Sequence, residues 1–117
     1  MARLSTHVLD TARGVPAAGV KVQLHILRGD ERGIVATATT NADGRTDAPL
    51  LSQDRLHTGV YELSFYIGDY FRRAGTTLTD PPFLDVVLVR VGIADAAGSY
   101  HVPLLVSPYG YSTYRGS

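Results

Sequence analysis

The chain has 117 residues, no cysteine, and eleven basic residues balanced by eleven acidic ones. That length supports one domain, spanning 1–117, which hides roughly 65% of the surface of its unfolded chain and so needs no covalent staple. The absence of cysteine excludes disulfides, thiolate metal sites and cysteine nucleophiles. The charge balance, with no basic stripe, argues against nucleic acid or an anionic membrane surface as partner.

The first ten residues, Met-Ala-Arg-Leu-Ser-Thr-His-Val-Leu-Asp, lack the apolar stretch of a secretory signal. No window reaches the ~20 apolar residues of a membrane span. A soluble, cytoplasmic protein is the expectation.

Along the chain the signal is short apolar runs cut by Gly, Pro and Asp. Leu4 to Asp10 reads as the first strand. Val20 to Ile26 alternates strictly between apolar and polar, the mark of a half-buried strand. The run Arg28 to Gly33 is a turn, and Ile34 to Thr40 is the next β-branched, alternating segment. Asn41-Ala42-Asp43-Gly44 is a second turn, after which Arg45 to Leu51 forms at most a short strand. Val60 to Ile67 and Phe83 to Ile93 read as strands. Between them, Gly68 to Gly75 breaks the alternation and predicts a short helix. Asp95 to Gly98 turns into a last strand, Tyr100 to Val106. Strands recurring every 8–12 residues or so predict an all-β, two-sheet sandwich with one short helix.

The last strand carries apolar residues on both faces: Tyr100, Val102, Leu104 and Val106 on one, Pro103 and Leu105 beside His101 on the other. Pro103 has no N–H for a ladder, which places it at a sheet edge or bulge. An apolar outer face near an edge invites aggregation unless another subunit covers it, so an oligomer is expected.

Few residues offer chemistry. His7 lies mid-strand on the face of Ser5 and Leu9, where a lone histidine is usually a packed or surface residue. Arg45 follows a turn, and His101 shares its face with Pro103 and Leu105. His25 and His57 read as surface residues. Of seven tyrosines, four (Tyr100, Tyr109, Tyr111 and Tyr114) fall in the last strand and the tail beyond it. Disordered ends are poor in aromatics, so this tail is expected to pack. No pair of histidines has metal-ligand spacing, and Arg28-Gly29-Asp30, an attachment tripeptide by spelling, lies in a turn where a chance match is the simpler reading.

Leu4-Ser5-Thr6-His7-Val8-Leu9-Asp10, Gly44-Arg45, Tyr100-His101-Val102-Pro103-Leu104-Leu105 and the terminal Tyr114-Arg115-Gly116-Ser117 together resemble the 5-hydroxyisourate hydrolases, the transthyretin-related proteins. The resemblance runs over essentially the whole chain. It implies a transthyretin-like sandwich assembled as a homotetramer, with sites at an interface between dimers. It implies hydrolysis of the cyclic amide of 5-hydroxyisourate in urate (purine) degradation, with neither metal nor other cofactor. It further implies that His7, Arg45, His101 and Ser117 are catalytic and that His7, Arg45, Tyr114, Arg115 and Gly116 contact the substrate. Residue chemistry agrees: imidazoles suit proton transfer near neutral pH, and a guanidinium suits a carbonyl oxygen or an anionic ring edge. Which histidine is the base stays open at this level. The rival is a non-catalytic, transthyretin-like carrier of a small ligand, which has no need of two histidines, an arginine and a tyrosine-bearing tail converging on its channel.

Overall fold

The computed structural model describes residues 2–116. Nine strands and one α-helix follow in chain order: β1 Arg3–Asp10, β2 Val15–Pro16, β3 Lys21–Arg28, β4 Glu31–Thr39, β5 Leu51–Ser52, β6 Gly59–Tyr66, α1 Ile67–Arg73, β7 Val86–Ile93, β8 Ser99–Ser107 and β9 Gly110–Thr113. One sheet has the order β2-β1-β8-β9, with β5 also pairing β1; the other has the order β4-β3-β6-β7. The all-β sandwich with a single short α-helix is therefore the architecture observed.

Alternation builds the core. Leu4, Thr6, Val8 and Asp10 of β1 are buried, as are Tyr100, Val102, Leu104 and Val106 of β8. They face Val22, Leu24, Leu63, Phe65, Val87 and Val89 of the second sheet within one cluster. Thr6 resolves its buried hydroxyl by donating to the Val102 carbonyl at 2.6 Å. Buried Asp10 accepts the N–H groups of Ala12 and Arg13 at 3.0 Å each and the Tyr70 hydroxyl at 2.7 Å. One carboxylate thus shapes the turn after β1 and ties α1 to it, and burial plus this bond push the Tyr70 phenol above its ordinary pKa.

The structure departs from the sequence expectations at several places. The strand foreseen from Phe83 begins only at Val86, because Pro81 and Pro82 precede it and the Asp85 carbonyl accepts the Gly68 N–H at the start of the helix. Of the segment from Arg45, only Leu51–Ser52 pairs as a strand. The very short β2 and the exposed β9 carry no periodicity to foresee. Pro103 is not at an edge, since β8 lies between β1 and β9. The β8–β9 ladder runs from Ser107↔Gly110 to Leu104↔Thr113, lapses at Pro103, and resumes in the same register as the bridge His101↔Gly116. The missing donor is accommodated by that gap. His25 is not a surface residue either. It is 5% exposed, mid-sheet between Ile34 and Glu62, and its Nδ1 has no partner. His57 is exposed as expected.

Candidate active site

The site grows from one register. β1 and β8 run parallel, pairing Ser5 with His101 and His7 with Pro103. On a strand, alternate residues share a face, so Arg3, Ser5, His7 and Leu9 line up beside His101, Pro103 and Leu105 on the outer side of the sheet. Two residues far apart in sequence become neighbours: Ser5 Oγ is 2.8 Å from His101 Nδ1.

Arg45 arrives through the 41–47 turn. The Asn41 side chain accepts the N–H groups of Asp43 and Arg45, and its amide donates to Asp47 at 3.0 Å. Gly44 has φ +75°, and a Cβ there would collide with the Val8 carbonyl. Only glycine permits this approach, in which the Val8 N–H donates to the Gly44 carbonyl at 2.8 Å. Arg45 is thereby bridged directly opposite His7.

The tail completes the arrangement. Gly116 donates its N–H to the His101 carbonyl at 2.7 Å. A Cβ on Gly116 would lie 2.8 Å from His101 Cδ2, so this glycine packs directly on the imidazole. Arg115 turns the other way: its guanidinium lies 4.2 Å from the centre of the Tyr100 ring and donates to the Ser99 carbonyl. Tyr114 is 61% exposed and, with Arg115, borders a second hollow of about 350 Å³ between β7 and β9. The tail packs through its backbone while Tyr109, Tyr111 and Tyr114 keep exposed rings.

A cleft of about 300 Å³ opens over this face, lined by Arg3, Ser5, Arg45, Asp47 and His101 among others. His101 and Arg45 are thus brought together, His7 is beside them, and Gly116 supports the imidazole. Tyr114 and Arg115 border the other hollow, and Ser117 lies outside the described residues. His101 is held below the ordinary histidine pKa, first by desolvation and then by the positive fields of Arg45, His7 and Arg3. Both influences favour the neutral imidazole, the form able to accept a proton. Among the described residues no three His, Asp or Glu side chains converge as a metal site would require. Ser5, Arg3 and Asn41 were not singled out from sequence. For the first two the signal was present, since both share His7's face by simple alternation.

The HIUase/Transthyretin family model matches residues 4–116. The 5-hydroxyisourate hydrolase 2 of Rhizobium meliloti is 61% identical over 115 residues, covering 98% of this chain and 96% of its own. The solved 5-hydroxyisourate hydrolase of Klebsiella pneumoniae superposes with a TM-score of 0.80 at 38% identity, each chain covered in full. A solved (S)-allantoin synthase gives a TM-score of 0.92 at 44% identity over 98% of this chain, which spans only 43% of that longer one. Sandwich topology and matches along nearly the entire length agree on one assignment: the chain belongs to the HIUase/transthyretin family.

Proposed function

We propose that this chain hydrolyses the cyclic amide of 5-hydroxyisourate to 2-oxo-4-hydroxy-4-carboxy-5-ureidoimidazoline, using no metal. The observation that carries the proposal is the convergence of His101 and the Arg45 guanidinium on one cleft, in a chain 61% identical to a relative bearing that enzyme's name. His101 takes a proton from water as its oxygen bonds the amide carbon. Arg45 holds the oxygen that becomes negative in the tetrahedral intermediate. The C–N bond then breaks, and the imidazolium returns its proton to the leaving nitrogen. The cations around His101 make that imidazolium a willing acid. His7, facing Arg45, orients the substrate ring; Tyr114 borders the other hollow rather than this cleft. The positive fields of Arg3 and Arg45 oppose a bound metal cation, and two histidines beside them give a polar site ill matched to an apolar-ligand carrier.

Mixing the protein with freshly generated 5-hydroxyisourate tests the reading. The substrate's ultraviolet absorbance disappears faster than its spontaneous decay, and equally fast after exhaustive chelation. Decay at the spontaneous rate overturns the activity, and loss on chelation restored by zinc overturns the metal-free chemistry.

The working form in this proposal is a homotetramer. Supporting it, half-buried Leu9 and Leu105 lie on the outer face of β1 and β8, and β7 and β9 end their sheets among the described residues. Gel filtration at the mass of four chains is expected, and elution as one chain overturns it.

A further inference from the structure

We infer that Ser5 is a positioning residue for His101: its hydroxyl engages Nδ1 and holds the ring with Nε2 toward the cleft, in the tautomer where Nδ1–H donates to Oγ and Nε2 keeps its lone pair. The inference deepens the hydrolytic reading and rests on it for its consequence, though the contact itself is independent of any substrate.

The geometry leaves little choice of partner. Ser5 Oγ lies 2.8 Å from Nδ1, a full hydrogen bond, and the two residues are register partners in the parallel β1–β8 pair. The opposite edge of the ring is packed by Gly116, where even a Cβ would come within 2.8 Å of Cδ2. The imidazole is therefore held on one side by a hydroxyl and on the other by a backbone. With Nδ1 engaged, Nε2 is the nitrogen left to meet water or substrate. An imidazole free in water has no fixed tautomer, and whichever nitrogen is protonated is set by the bond the other makes.

A serine suits this position better than the carboxylate often found behind a catalytic histidine. A carboxylate would also accept from Nδ1–H, but its charge would stabilise the imidazolium. The histidine would then hold its proton more tightly and be slower to surrender it to the leaving nitrogen. A neutral hydroxyl orients the ring without that cost. Arg3 and His7 from β1 and Arg45 from the 41–47 turn disfavour the charged ring and keep the proton mobile, while Asp47 of that turn lines the same cleft with the opposite charge.

Three variants and one spectroscopic measurement test the inference. In ¹⁵N-labelled wild-type protein at neutral pH, the His101 ring shows a protonated Nδ1 and an unprotonated Nε2. Ser5→Ala shifts the ring toward the Nε2–H form and lowers kcat about tenfold or more with KM within about twofold, as loss of one orienting bond implies. Ser5→Thr, which keeps the hydroxyl, restores most of both. Ser5→Asp moves the His101 titration to higher pH, and the acid limb of the rate profile moves with it. An unprotonated Nδ1 in the wild type, or a His101 titration unmoved in Ser5→Asp, overturns the inference. So does Ser5→Ala with wild-type tautomer and rate. If the nuclear resonance results hold but the wild-type protein leaves 5-hydroxyisourate to decay spontaneously, the hydrolytic reading fails while the positioning contact stands.

Discussion

Replacing Gly116 with alanine adds one methyl group at the most confined point of the site. The Gly116 N–H is tied to the His101 carbonyl at 2.7 Å, so the backbone cannot back away without breaking that bond. An added Cβ would lie 2.8 Å from His101 Cδ2 and 3.4 Å from its Cβ and Cγ. Carbon atoms in ordinary contact stay near 3.5 Å or beyond, so the ring must tilt by roughly 0.7 Å or more at its Cδ2 edge. Nε2 is bonded to that carbon and moves with it, while Ser5 restrains the far side. Misplacing a reacting group by ~1 Å costs on the order of 10²-fold, so Gly116→Ala is expected to lower kcat by about 10–100-fold. Gly116 is not among the glycines with positive φ, so alanine adds no backbone strain and the melting temperature should stay within a few degrees. Initial rates of absorbance loss on fresh substrate, with the His101 ring resonances as a structural reporter, measure both halves. A wild-type kcat, or an unmoved His101 resonance beside a large loss, would refute the reasoning.

Arg45→Ala and His101→Asn remove the proposed oxyanion partner and the proposed base, and each should cut turnover by at least ~10²-fold at unchanged assembly mass; a near-normal rate removes that residue from its proposed role. Arg3→Ala removes one of the cations that depress the His101 pKa, so the His101 titration and the acid limb of kcat/KM should both move to higher pH; a limb that stays put removes Arg3 from the site's electrostatics. His25 has its folded pKa lowered, chiefly by burial and next by Arg32, against an opposing pull from Glu62. Its stabilising share is therefore present above the unfolded value of about 6.5 and is lost as pH falls through the folded one. His25→Leu, which also removes the unpartnered Nδ1, should melt at or above the wild-type temperature at pH 5 and show a flatter dependence on pH in thermal scans; an equal slope counts against the assignment.

The sandwich was legible because most of its strands obey one rule. The inward Leu4, Thr6 and Val8 alternate with the half-buried Ser5 and His7, and that periodicity is written in the sequence. What failed were segments in which other forces override it. His25 occupies a position that alternation assigns to solvent, yet it is buried in a face where Glu62 receives Arg32 at 3.1 Å and Arg90 at 3.2 Å. Long charged side chains roof their own sheet, and period-two reasoning does not see that cover. Pro103 misled for the converse reason. Its missing donor argues for an edge, but a gap in the β8–β9 ladder satisfies the same constraint in the middle of a sheet.

The site was legible only in part, since its key pairing joins residues 96 apart in sequence. Alternation places Ser5 on the face of His7, but nothing local says that β8 will lie parallel to β1 with His101 opposite Ser5. The tail shows the same division. Its four residues resemble one motif, yet a strand-like register sends successive side chains to opposite sides. Arg115 stacks on Tyr100 and bonds the Ser99 carbonyl, while Gly116 next to it rests on the imidazole. Arg115 therefore anchors the tail to Ser99 and Tyr100 beside Gly116. A residue can belong to a functional motif by holding its neighbour still, and that distinction is visible only once the β8–β9 register is known.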